Sequence, residues 1–73
     1  MQSRAPNEVM GIIDAKNVIK FEYCGGWGYR KIVVQTIAKI EETYPSKFHF
    51  TLYRDTGTTN RFEVTAYIGS KSD

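Results

Sequence analysis

The sequence predicts a small α/β domain, and three observations carry that prediction. Two stretches with strand-like alternation lie on either side of a segment with helical spacing. A proline closes the helical segment, and a third alternating stretch follows a turn-rich one. From Val18 onward the predicted order is strand, helix, strand, strand.

The first strand is read from Ile19, Phe21 and Tyr23, which alternate with Lys20 and Glu22. Cys24-Gly25-Gly26-Trp27-Gly28 follows as a glycine-rich turn. From Tyr29 the period changes: Val33, Ile37, Ile40 and Tyr44 fall on one helical face, and Lys31, Gln35, Lys39 and Glu42 largely on the other. Pro45 ends the helix, because the residue before a proline is pushed out of the helical region. Phe48, Phe50 and Leu52 then alternate with His49, Thr51 and Tyr53 as a second strand. The run from Asp55 through Gly57 to Asn60 has turn chemistry. Phe62, Val64, Ala66 and Ile68 alternate with Glu63, Thr65 and Tyr67 as a third strand.

The strand-helix-strand half predicts a crossover between two parallel strands. The third strand has two open placements, as a hairpin with the second or antiparallel beside the first. Residues 1–17, with Pro6, Asn7 and Gly11, read as a leader that is flexible or loosely docked through Ile12 and Ile13. The domain proper is expected over residues 18–73. One helix covers only one sheet face and leaves Tyr53 and Tyr67 bare. The expectation is therefore a chain that continues in its natural form, or a surface that meets a partner.

At 73 residues there is room for one small domain. The 41% hydrophobic and 14% aromatic content argues against disorder as the main state. A net charge of +2 is too weak to imply nucleic acid. One cysteine allows no internal disulfide. No apolar run approaches a membrane span, and the acids Glu8 and Asp14 rule out a signal or transit core there. The expected compartment is the cytosol.

Cys24 ends a strand just before a helix, where unpaired backbone N–H groups and the helix dipole favour an anion. A thiol there is expected to have a lowered pKa and to react as thiolate. Arg30 and Lys31, one turn on, would add positive charge. The competing reading makes Cys24 a small buried apolar residue without chemistry.

The run from Glu22 to Arg30, Glu-Tyr-Cys-Gly-Gly-Trp-Gly-Tyr-Arg, followed by a helix ending in Tyr44-Pro45, resembles selenoprotein W and its relatives. Phe62-Glu63-Val64 is similar to the family's Phe-Glu-Val strand, and the likeness spans about residues 18–71. The resemblance implies a thioredoxin-like fold with a redox centre at the strand-to-helix turn. The usual final strand and helix would be missing. It implies Cys24 as the redox thiol, Gly25, Gly26 and Gly28 as shapers of the turn, and Tyr23 and Tyr29 as its flanks. It also implies a glutathione-linked antioxidant role. The family's selenocysteine position is occupied here by Trp27, one codon base away, so Trp27 is expected to stand where a selenocysteine belongs. With tryptophan there, a monothiol route through a mixed disulfide with glutathione is what remains. Asn60-Arg61 replaces the Thr-Gly that the family tends to carry beside the turn.

Other constellations are weaker. Gly26-x-Gly28 lacks the third glycine and the acidic residue of a dinucleotide loop, and no Lys-Ser pair completes a P-loop. Cys24 and His49 are too few for a metal site. A Cys–His pair would need the two strands to bring them together, and His49 reads rather as a solvated or hydrogen-bonded side chain. An RNA platform would need its aromatics within central strands. Two functions therefore stand. One is a glutathione-linked thiol oxidoreductase centred on Cys24; the other is a redox-inert module binding a protein through the Trp27 turn and the bare sheet face.

Overall fold

A computed structural model describes residues 5–26 and 28–69. Five elements follow in order: β1 (Glu8–Gly11), β2 (Asn17–Tyr23), α1 (Tyr29–Thr43), β3 (Phe48–Arg54) and β4 (Phe62–Tyr67). The strands form one mixed sheet in the order β1-β3-β2-β4. The β2 and β3 strands are parallel, joined by α1, and each has an antiparallel outer neighbour, β4 beside β2 and β1 beside β3.

The alternating residues of β2 and β3 build the core. Ile19, Phe21 and Tyr23 from β2 and Phe50 and Leu52 from β3 are buried against Val33 and Ile37 of α1. Helical spacing puts Val33 and Ile37 one turn apart on the same face, and Met10, Tyr29, Ile40 and Phe48 pack around them. The helix is closed by its C-cap Tyr44, whose N–H donates to the Ile40 carbonyl, directly before Pro45. Tyr44 itself is not core: it is exposed and meets Phe48 edge-on at its margin.

One expectation needs correction. Part of the leader is a strand, since Glu8–Gly11 pairs with His49–Leu52 and extends the sheet. It is held by Asn7 N–H to the Leu52 carbonyl and Ile12 N–H to the Phe48 carbonyl, while Ile13 remains exposed. Four residues ending in glycine are too short for periodicity to reveal. The apolar row of β4 stays outside the core. Register places Phe62, Val64 and Ala66 opposite Tyr23, Phe21 and Ile19, hence on the helix side. Yet α1 packs on β2 and β3, leaving Phe62, Val64 and Ile68 at 39%, 50% and 47% exposure.

The third strand takes the second of its two open placements, beside the first. Among the described residues no helix is long and apolar enough to cross a membrane.

Candidate functional site

Cys24 immediately follows β2, at the carboxyl end of the parallel pair. Tyr23 pairs with Phe62 across the β2–β4 ladder, so the next residue outward meets the segment entering β4. There the Cys24 N–H donates to the Arg61 carbonyl at 2.8 Å, and the Gly25 N–H donates to the Gly57 carbonyl at 3.1 Å. On the other side, the Asp55 N–H donates to the Tyr23 carbonyl at 2.8 Å. The turn after β2 is thus laid against residues 55–61.

The thiol is almost covered, at 1% exposure, and is surrounded by donors. The Gly26 N–H points to Sγ at 3.4 Å and the Thr59 N–H at 3.3 Å. Sγ in turn lies 3.8 Å from the Gly57 carbonyl, which can accept the thiol proton. Burial pushes the thiol pKa up, but the N–H groups of Gly26, Asn60 and Thr59, with the Thr59 hydroxyl, outweigh it and hold the thiol below its ordinary value. Hydrogen bonds to the charged form favour that form.

The glycines act differently from one another. A Cβ on Gly25 would run into the Asp55 carbonyl, so only glycine lets the turn lie this close to the 55–61 segment. Gly28, the helix N-cap, has φ +72°, a left-handed conformation that glycine adopts without strain. Gly26 supplies an N–H to the sulfur, and its carbonyl receives the Tyr29 N–H at 3.4 Å. Trp27 lies outside the described residues.

The 55–61 segment is braced by charge. Arg61 grips Asp55 with two bonds, Nε to Oδ2 at 2.9 Å and Nη2 to Oδ1 at 2.7 Å. The Thr59 hydroxyl donates to Asp55 Oδ2 at 2.7 Å. Glu22 and Glu63 also face the Arg61 guanidinium, at 3.7 and 3.4 Å. The Asp55 hydrogen bonds, with these three carboxylates, hold the Arg61 pKa well above its usual value against the effect of burial. Asp55, Thr59 and Arg61 thus keep the Thr59 N–H aimed at sulfur. Turn composition alone showed a loop here; its docking on Cys24 depends on β4 lying beside β2, which the sequence left open.

The flanking tyrosines face the core side. Tyr23 is fully buried, and burial, aided by the Glu8 charge and opposed by Arg30 and Arg54, raises its pKa. Tyr29 is partly buried against the core. The positive charge expected beside Cys24 is directed elsewhere in the case of Arg30, whose guanidinium forks onto Glu8 at 2.8 and 2.6 Å. His49 is not brought to the thiol. It pairs with Val18, six residues back along β2 from Cys24, on the order of 20 Å at strand rise. Its Nδ1 is buried without a hydrogen-bond partner. Among the described residues, no three His, Cys, Asp or Glu side chains gather as metal ligands.

Compared with protein-family models, curated proteins and solved structures, the chain matches none.

Proposed function

We propose that the chain is a thiol redox protein of the selenoprotein W type, with a thioredoxin-like arrangement around β2, α1 and β3. Cys24 is its redox thiol, glutathione its co-substrate and the cytoplasm its compartment. One observation carries the reading: the only sulfur that can form a disulfide receives N–H donors from two chain segments, Gly26 and Thr59, and its pKa is lowered despite burial. A solely apolar cysteine has no need of such donors.

With a single cysteine, the chemistry is monothiol exchange. The Cys24 thiolate attacks the glutathione sulfur of a mixed disulfide RS–SG. The new bond is Cys24–S–SG, and RS⁻ leaves to take a proton from water. A second glutathione thiolate then attacks the glutathione sulfur of Cys24–S–SG. Oxidised glutathione forms, and the Cys24 thiolate is released. The sum is RS–SG + GSH → RSH + GSSG: the RS sulfur is reduced and the sulfur of the one incoming glutathione is oxidised, so electrons balance. Because Sγ is nearly covered, the rate depends on opening of the turn as well as on the thiolate fraction.

The test is to expose the folded protein to oxidised glutathione and follow the intact mass. The reading expects one glutathionyl adduct on Cys24, removed by reduced glutathione. An adduct that forms only in the unfolded chain would refute it.

A second reading, a redox-inert module that binds a protein partner, is favoured by the exposed row of Phe62, Val64 and Ile68. It gains if the folded thiol proves unreactive.

A further inference from the structure

Beyond the carboxyl ends of the parallel strands lies a cleft of about 330 Å³ lined by Asn7, Glu8, Tyr23, Arg30 and Arg54. Tyr23 and Arg54 are the last residues of β2 and β3 and stand opposite each other in register. Arg30 is in the first turn of α1. This end of a parallel α/β sheet is where the connections diverge and ligand crevices form.

The cleft combines two guanidinium groups with one carboxylate. Glu8 occupies the Arg30 fork through both oxygens, Oε1 at 2.8 Å from Nε and Oε2 at 2.6 Å from Nη2. That is the two-point geometry by which arginine recognises a planar carboxylate. The Arg30 hydrogen bonds hold the Glu8 carboxyl below its usual pKa, opposed by burial and assisted by the charges of Arg30 and Arg54. Asn7 fixes the wall by accepting the Arg54 N–H on Oδ1 at 2.7 Å. The carboxylate already in place comes from the edge strand β1, and its pair with Arg30 is half-exposed. Water and salt weaken such a pair, so an external carboxylate can exchange for it at little cost.

We propose that this cleft binds a small carboxylate ligand, with Glu8 as the internal occupant that the ligand displaces from Arg30. Tyr23 directly precedes Cys24 in the chain, so the cleft opens at the same end of the sheet as the redox turn. Under the redox reading the ligand is a glutathione carboxylate; that identification rests on the reading, whereas the carboxylate site does not.

Binding is followed by NMR titration of the Cys24→Ser protein with reduced glutathione, acetate, glutathione diethyl ester and inorganic sulfate. Saturable shifts at the Arg30 Nε–H and at Tyr23 are expected with glutathione and acetate, and none with the diester. Glu8→Gln removes the competing charge from the fork and should tighten binding on the order of fivefold; Arg30→Gln should weaken it by a similar factor. Arg54→Gln, which leaves the fork intact, should weaken it less. Equal binding of the diester, sulfate binding as tightly as acetate, or no gain from Glu8→Gln would overturn the proposal. Because Cys24→Ser can form no disulfide, failure here leaves the thiol reading standing, and failed glutathionylation leaves this binding result intact.

Discussion

The backbone N–H of Thr59 donates to the sulfur of Cys24 at 3.3 Å, although 35 positions of sequence separate them. The contact exists because β4 pairs with β2 and brings its approach segment over the end of that strand. The sulfur environment is therefore a property of the sheet order as much as of the glycine turn.

Ionisation of the buried thiol couples to stability with a definite sign. The folded thiol loses its proton at lower pH than the unfolded one, whose pKa is about 8.5, since its pKa is lowered by the surrounding N–H groups against the effect of burial. The stabilisation is complete above the unfolded value and is lost as pH falls through the folded one. Denaturant melts across that interval should show wild type gaining stability with rising pH relative to Cys24→Ser. A pH-independent difference between the two would refute the coupling.

Gly25 and Gly28 should respond differently to alanine. Gly25→Ala drives a Cβ into the Asp55 carbonyl and separates the turn from the 55–61 segment, at a cost of about 1–3 kcal/mol or more. Gly28→Ala meets no neighbouring atom and carries only left-handed strain, about 1–2 kcal/mol. Chemical denaturation measures both. Only Gly25→Ala should also raise the thiol pKa.

Asp55→Ala removes both Arg61 bonds and the Thr59 hydroxyl's acceptor. Because Arg61 remains a third exposed, the expected loss is about 1–3 kcal/mol. Loosening the segment withdraws the Thr59 N–H, so the alkylation midpoint of Cys24 should rise. A stability loss with an unmoved midpoint would show that the brace does not serve the sulfur.

The two ends of the burial scale predict a contrast. Phe50→Ala, at a fully buried site, should cost about 3–5 kcal/mol. Val64→Lys on the exposed row should stay within about 0.5 kcal/mol and raise solubility, as charge on an edge strand does. Thermal melts and sedimentation of the two variants check this.

Alternation at Ile19, Phe21 and Tyr23 and helical spacing at Val33 and Ile37 were legible because these residues face one another across the helix–sheet layer. The same alternation at Phe62 and Val64 identified a strand but not its burial, which depends on where the helix lies. Glu8–Gly11 was too short to show a period. For the site, the sequence marked Cys24 and its glycines from the turn alone. It could not show Thr59, Asp55 and Arg61, whose role arises from long-range pairing, nor the Glu8 carboxylate that engages Arg30.

The most direct test of the central claim is the rate of Cys24 alkylation as a function of pH, in the folded protein and in the urea-unfolded chain. The folded midpoint is expected below the unfolded one, moving upward in Asp55→Ala. A folded midpoint equal to or above that of the unfolded chain would contradict it.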